Sequence, residues 1–136
     1  MEVRVQHLGA LQFEIKARQH VIVSDQPADN GGHDEGMTPP ELLLASLGSC
    51  AAFYAAQYLR KFKLATEGVQ VRITADKLTG PARIDHFKIE IESPVELSEK
   101  HIRGVEESVH HCLIHNTLLN APQINVEVRQ PAPVGI

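Results

Sequence analysis

The first strong pattern in this chain is an alternation of apolar and polar positions. Val3 and Val5, then Leu11, Phe13 and Ile15, alternate with polar residues on either side of Gly9-Ala10. Period-two alternation flanking turn residues predicts a β-hairpin. Val21-Ile22-Val23 predicts a third short strand ending at Ser24-Asp25. From Gln26 to Met37 the residues are those of a loop, with Pro27, Asp29-Asn30-Gly31-Gly32 and Gly36 supplying turn chemistry.

At Thr38 the character changes. Between Glu41 and Arg60 no residue is charged, and Ala, Gly and Ser alternate with Leu and aromatics. Thr38, Pro39 and Glu41 together are a helix start: a hydroxyl acceptor, a residue that lacks the amide, and a carboxylate three positions on that can reach back. Arg60, Lys61 and Lys63 place cations where the helix dipole favours them. The stretch predicts a helix roughly 35 Å long at about 1.5 Å per residue. It only just reaches bilayer length, and Ser46, Ser49 and Gln57 make it mildly apolar, so it reads as the central helix of a soluble protein.

Alternation resumes at Val69, Val71 and Ile73, passes a turn at Lys77-Leu78-Thr79-Gly80-Pro81, and continues through Ile84, Phe87, Ile89 and Ile91. Ser98 and Glu99 then open a second helix, with Ile102, Val105, Val109, Cys112 and Leu113 at helical spacing. A break is expected near His115-Asn116, with a last turn through Leu119. Ile124, Val126 and Val128 predict a closing strand before a Pro-rich tail. The expected order is β-β-β-α-β-β-α-β, an α+β fold of antiparallel sheets around a long central helix, one domain over residues 1–136. One sheet cannot cover a helix that is apolar on nearly every side. An intertwined homodimer, in which two copies pack these helices and exchange strands, is therefore expected.

Composition narrows the function. A net charge of −4 offers no footprint for nucleic acid or an acidic membrane surface. Six aromatic residues, none of them Trp, leave little for a base-stacking surface. Two cysteines and no basic-apolar leader point to a reducing compartment, the cytoplasm.

Candidate chemistry centres on the two cysteines, Cys50 and Cys112, 62 positions apart. Each can be read as a small buried hydrophobe, or the two as a reactive thiolate and a resolving thiol. Cys50 lies about three turns into its helix, beyond the reach of the dipole, and burial alone would make it inert, so activation needs a cation from elsewhere. Arg18 is the candidate, against a solvated strand residue. Glu41 is either a capping residue or the carboxylate that orients such a cation. His110, His111 and His115 crowd Cys112, and solvated or capping roles compete there with a metal site. The Gly-rich loop at 31–36 precedes a helix, but Asp34 and Glu35 lie within it and its spacing fits no phosphate motif.

The run Gly36-Met37-Thr38-Pro39-Pro40-Glu41-Leu42-Leu43-Leu44-Ala45-Ser46-Leu47-Gly48-Ser49-Cys50 resembles the signature of the OsmC/Ohr family, the osmotically inducible and organic-hydroperoxide-resistance proteins. Cys112 falls where that family places its second cysteine, and the order of elements agrees over nearly the whole chain. The resemblance implies a thiol peroxidase that acts in oxidative stress defence and needs no cofactor or metal. Cys50 would attack a hydroperoxide, Cys112 would close a disulfide on the resulting sulfenic acid, and an external dithiol, of lipoyl type for instance, would reduce it. It also implies Arg18 and Glu41 as the activating pair. The chain departs from Ohr-type members in two places: Leu113 follows the second cysteine where they usually have Pro, and the position of their catalytic Glu is taken by Pro40, beside Glu41. Apolar surroundings of Cys50 favour an organic hydroperoxide over hydrogen peroxide. The alternative is a non-catalytic protein that holds an apolar small molecule in the dimer groove.

Overall fold

The computed structural model describes residues 1–64 and 67–135. Strands β1 (Arg4–Gly9), β2 (Gln12–Ala17) and β3 (His20–Ser24) form an antiparallel sheet in the order β1-β2-β3. Arg18 and Gln19 make a two-residue turn between β2 and β3, whose last pair is Ala17 with His20. Helix α1 spans Pro39–Lys61. Strands β4 (Gln70–Leu78) and β5 (Arg83–Glu92) form a second antiparallel sheet, and α2 (Glu99–Val109) and α3 (Leu113–Leu119) follow.

The start of α1 behaves as its sequence dictates. Thr38 is the N-cap, its Oγ1 accepts from the Glu41 amide at 3.4 Å, and Glu41 Oε1 accepts in turn from the Thr38 amide at 3.2 Å. Along the helix, Leu47, Ala51, Ala55 and Leu59 recur every four residues and are buried. Ala51, Ala55 and Leu59 pack on Val105 and Val109 of α2, with Val71, Ile89 and Ile91 of the second sheet packed against the same cluster. Small residues let these layers approach. A Cβ on Gly104 would collide with the Tyr58 ring, and one on Gly48 would lie 3.2 Å from Ile73 Cδ1. Tyr58 Oη and His101 Nδ1, 3.0 Å apart, bond α1 to α2 beside that close approach. By length and composition α1 is the one helix among the described residues able to cross a membrane. Here it forms the centre of the core instead.

The loop before α1 is built on one buried acid. Asp25 is 1% exposed and accepts from Gln12 Nε2 and from the amides of Gln26, His33 and Glu35. Neither Gly32 nor Gly36 could carry a side chain, since a Cβ would meet the Gln26 and Val23 carbonyls. A bridge between Ser24 and Met37 completes the fastening of β3 to the start of α1.

Two expectations differ from the structure. The second helix ends at Val109 rather than near His115, because 3₁₀-type bonds from His111 to Ser108 and from Cys112 to Val109 tighten its last turn. Cys112 then leaves the helical region (φ −57°, ψ 127°) and starts α3. The alternation at 124–128 forms no ladder within the chain: residues 121–135 carry no regular secondary structure, and Ile124, Val126 and Val128 are 81%, 88% and 86% exposed. A strand needs a neighbour for its backbone groups, and none is present among the described residues.

Burial alone would raise the pKa of Asp25, but Gln12 and the three amides outweigh it and hold it at about 2. Its carboxylate therefore stabilises the fold fully above the ordinary Asp range and ceases to do so as pH falls through about 2. In urea titrations, Asp25→Asn is expected to be less stable than the wild type at neutral pH and to lose less stability on acidification.

Candidate active site

Cys50 lies on the flank of α1, between the buried stripe and the exposed positions Ala45, Ser49 and Phe53, and is partly accessible. Cys112 is 0% exposed, and both are free thiols. The packing of α1 on α2 and α3 closes the long sequence separation, and Cys50 comes close enough to Cys112 to bear on its titration. Cys112 is also the N-cap of α3, with Sγ accepting from the His115 amide at 3.5 Å. Burial pushes the Cys112 thiol up from its ordinary range and the adjacent Cys50 pushes it further, while the amides of His115 and Ile114 oppose both. Cys112 thus keeps its proton at neutral pH. The accessible sulfur is free to meet a reagent, and the buried one is positioned to meet only its neighbour.

Arg18 stands exposed on the β2–β3 turn with φ +56°, in the left-handed region that a residue with a Cβ rarely adopts. Among the described residues the first sheet has no extensive packing against α1. Glu41 is held by Thr38: besides the amide bonds, the Thr38 hydroxyl donates to Oε1 at 2.7 Å. That bond, followed by the Thr38 amide, holds its carboxyl below the usual range, and Lys77 adds to the effect. Nine residues separate Glu41 from Cys50, which is two and a half turns, so the two side chains leave opposite faces of α1 about 13 Å apart along its axis.

The histidines divide. His110 and His115 face each other with ring centroids 5.4 Å apart, whereas His111 lines a separate surface groove with Tyr58 and Glu107. No group of three metal-binding side chains gathers among the described residues. Sequence reasoning missed the N-cap role of Cys112, since a thiol is a rare cap, and the anchoring role of Asp25, whose partners lie up to 13 positions away.

The profile of the OsmC-like protein family matches residues 32–127, from the loop before α1 into the tail beyond α3. The chain belongs to the OsmC-like family. Solved structures share the fold over most of the chain. A protein from Psychrobacter arcticus 273-4, described as an osmotic stress induced and detoxification response protein, is 25% identical with a TM-score of 0.78, covering 85% of each chain. An OsmC-like protein from Mycoplasma pneumoniae is 20% identical with a TM-score of 0.70, over 88% of this chain and 87% of that one. The organic hydroperoxide resistance protein OsmC of Legionella pneumophila is 16% identical with a TM-score of 0.60, over 88% and 90%. No curated protein matches the chain in sequence. OsmC-like membership supports a general role in stress and redox chemistry.

The difference in burial between the thiols sets their order of reaction. A neutral alkylating agent applied to the reduced, native protein is expected to modify Cys50 first. Cys112 should react at least about tenfold more slowly, because its thiolate fraction and its access are both reduced. Peptide mass spectrometry over a time course reads the two rates.

Proposed function

We propose that this OsmC-like protein is a thiol peroxidase that reduces organic hydroperoxides through Cys50 and Cys112. The Cys50 thiolate attacks the terminal peroxide oxygen, the O–O bond breaks, and the alkoxide leaves as an alcohol after taking a proton. Cys50 is left as a sulfenic acid. Cys112 displaces hydroxide from it, giving a disulfide and water, and a dithiol reduces the disulfide by exchange. Prompt closure protects the sulfenic acid from further oxidation. The observation that carries this reading is the adjacency of one accessible and one buried thiol from distant parts of the chain. Such a cycle suits the reducing cytoplasm, where a dithiol reductant is at hand.

The activating cation comes from a second copy of the chain in this reading. The first sheet leaves Val5, Leu8, Val21 and Ile22 half-exposed, and the tail carries Ile124, Val126 and Val128 with nothing to pair with. Apolar surface on that scale favours burial against a partner, and an intertwined homodimer covers both regions. It also gives Arg18 a route to the other copy's Cys50. The left-handed backbone at Arg18 supports a functional demand on that turn, since Gly or Asn would satisfy it without strain.

A second reading has one specific observation in its favour. An apolar cavity of about 180 Å³ lies between α1, α2 and β5, lined among others by Leu59, Ile89, Leu97 and Val105. A small apolar ligand held there, with both thiols inert, would make the protein a binder.

The two readings part on one variant. Cys50→Ser is expected to reduce consumption of an alkyl hydroperoxide, with a dithiol reductant present, to the uncatalysed rate. Full activity in that variant would remove the peroxidase reading and leave the binder. Separately, light scattering at micromolar concentration is expected to give twice the chain mass, and a stable monomer would remove the second copy from the site.

A further inference from the structure

Side chains of the main core cluster leave a hole among themselves. Ala55 and Leu59 of α1, Val105 of α2, Ile89 and Ile91 of β5, and Leu97 wall a cavity of about 180 Å³. Well-packed interiors hold few voids larger than a water molecule. Two features keep these walls apart. Ala55 offers a single methyl group in a buried stripe that has Leu47 and Leu59 at its ends. Three residues on, the Tyr58 ring fills the space that a Cβ on Gly104 would take, and its hydroxyl lies 3.0 Å from His101 Nδ1. That wedge sets how closely α1 and α2 approach, and Ala55 is too short to fill what remains.

The lining has the chemistry of a pocket for an apolar molecule. A buried water needs two to four polar partners, and only Ser93 and Glu106 among the lining residues are polar. Ala55, Leu59 and Val105 are 0%, 1% and 6% exposed. An apolar cavity of about 150 Å³ stays dry and takes in benzene, so this volume suits one aromatic ring with a small substituent. Glu106 is exposed and is the one charged residue of the lining. An anionic head brought beside it would meet like charge while losing water, whereas a neutral hydroxyl would find an acceptor. Neither cysteine lines the cavity, and Ala55 and Leu59 lie about 7 and 13 Å beyond Cys50 along α1.

We propose that this cavity binds a neutral molecule the size of one aromatic ring, with a hydrogen-bond donor toward Glu106, independently of the thiol pair. The proposal takes its site from the binder reading above and departs from it in requiring no inert thiol. The ring replaces empty space between α1, α2 and β5, and contact with the walls holds it there.

Benzyl alcohol and benzoate share a ring and differ in the head group. Added to the reduced, methyl-labelled full chain, benzyl alcohol is expected to shift the NMR signals of Leu59, Ile89 and Val105 to saturation. Benzoate is expected to bind at least about tenfold more weakly, and Glu106→Gln to bring it within about threefold of benzyl alcohol. Ala55→Leu fills the cavity and is expected to abolish the shifts; since that variant can misfold, the exposed Glu106→Gln change gives a separate reading. Alkylation of Cys50 is followed in the same samples. Absent or unsaturable shifts in the wild type overturn the proposal, whether a second copy covers the mouth or the walls close in solution. Benzoate bound as tightly as benzyl alcohol overturns the ligand class, and a Cys50 alkylation rate that falls as benzyl alcohol saturates overturns the independence from the thiols. Saturable binding with Cys50 alkylated at its ligand-free rate upholds the site and removes the inert-thiol binder. Saturable binding in a protein whose Cys50 resists alkylation also upholds the site, and there it is the peroxidase reading that falls.

Discussion

A sulfur cut off from water keeps its proton, and Cys112 is such a sulfur. The rest of the site follows from that constraint. If both thiols were equally open, either could react with an oxidant and either could be lost to over-oxidation. Burying one and leaving the other on the flank of α1 separates the roles before any chemistry begins. The separation depends in turn on how closely α1 and α2 approach, which Ala51, Ala55 and Gly104 permit by having almost nothing to put between the helices.

The same packing leaves part of the chain's apolar surface exposed. The second sheet covers α1 on one side and α2 covers another, while the first sheet stands on its own hairpin contacts, joined to the core through the Asp25 loop and the bridge from Ser24 to Met37. That loop is rigid because a buried carboxylate is bonded from four directions. The apolar alternation at 124–128 is likewise exposed.

Local signals were legible and long-range ones were not. The capping box at Thr38 and Glu41 was readable because both partners lie within four residues and the bonds are those of any helix start. The hairpins were readable because alternation records which face of a strand is half-buried. The end of the second helix was misplaced, since Ile102, Val105, Val109 and Cys112 keep helical spacing even though the backbone has left the helix by Cys112. Periodicity reports which side chains are inward; it does not report whether the turn between two inward residues is intact.

By itself the sequence determined the first five strands, α1 and the start of α2, the apolar stripe of α1, and the pair of residue types able to do redox chemistry. Those follow from near-neighbour hydrogen bonding and from the period of burial, both of which are written residue by residue. Only the tertiary structure decided that Cys50 and Cys112 are neighbours and that Cys112 is the buried member of the pair. Each of these is set by how one helix lies on another, a relation between residues tens of positions apart that no local pattern encodes.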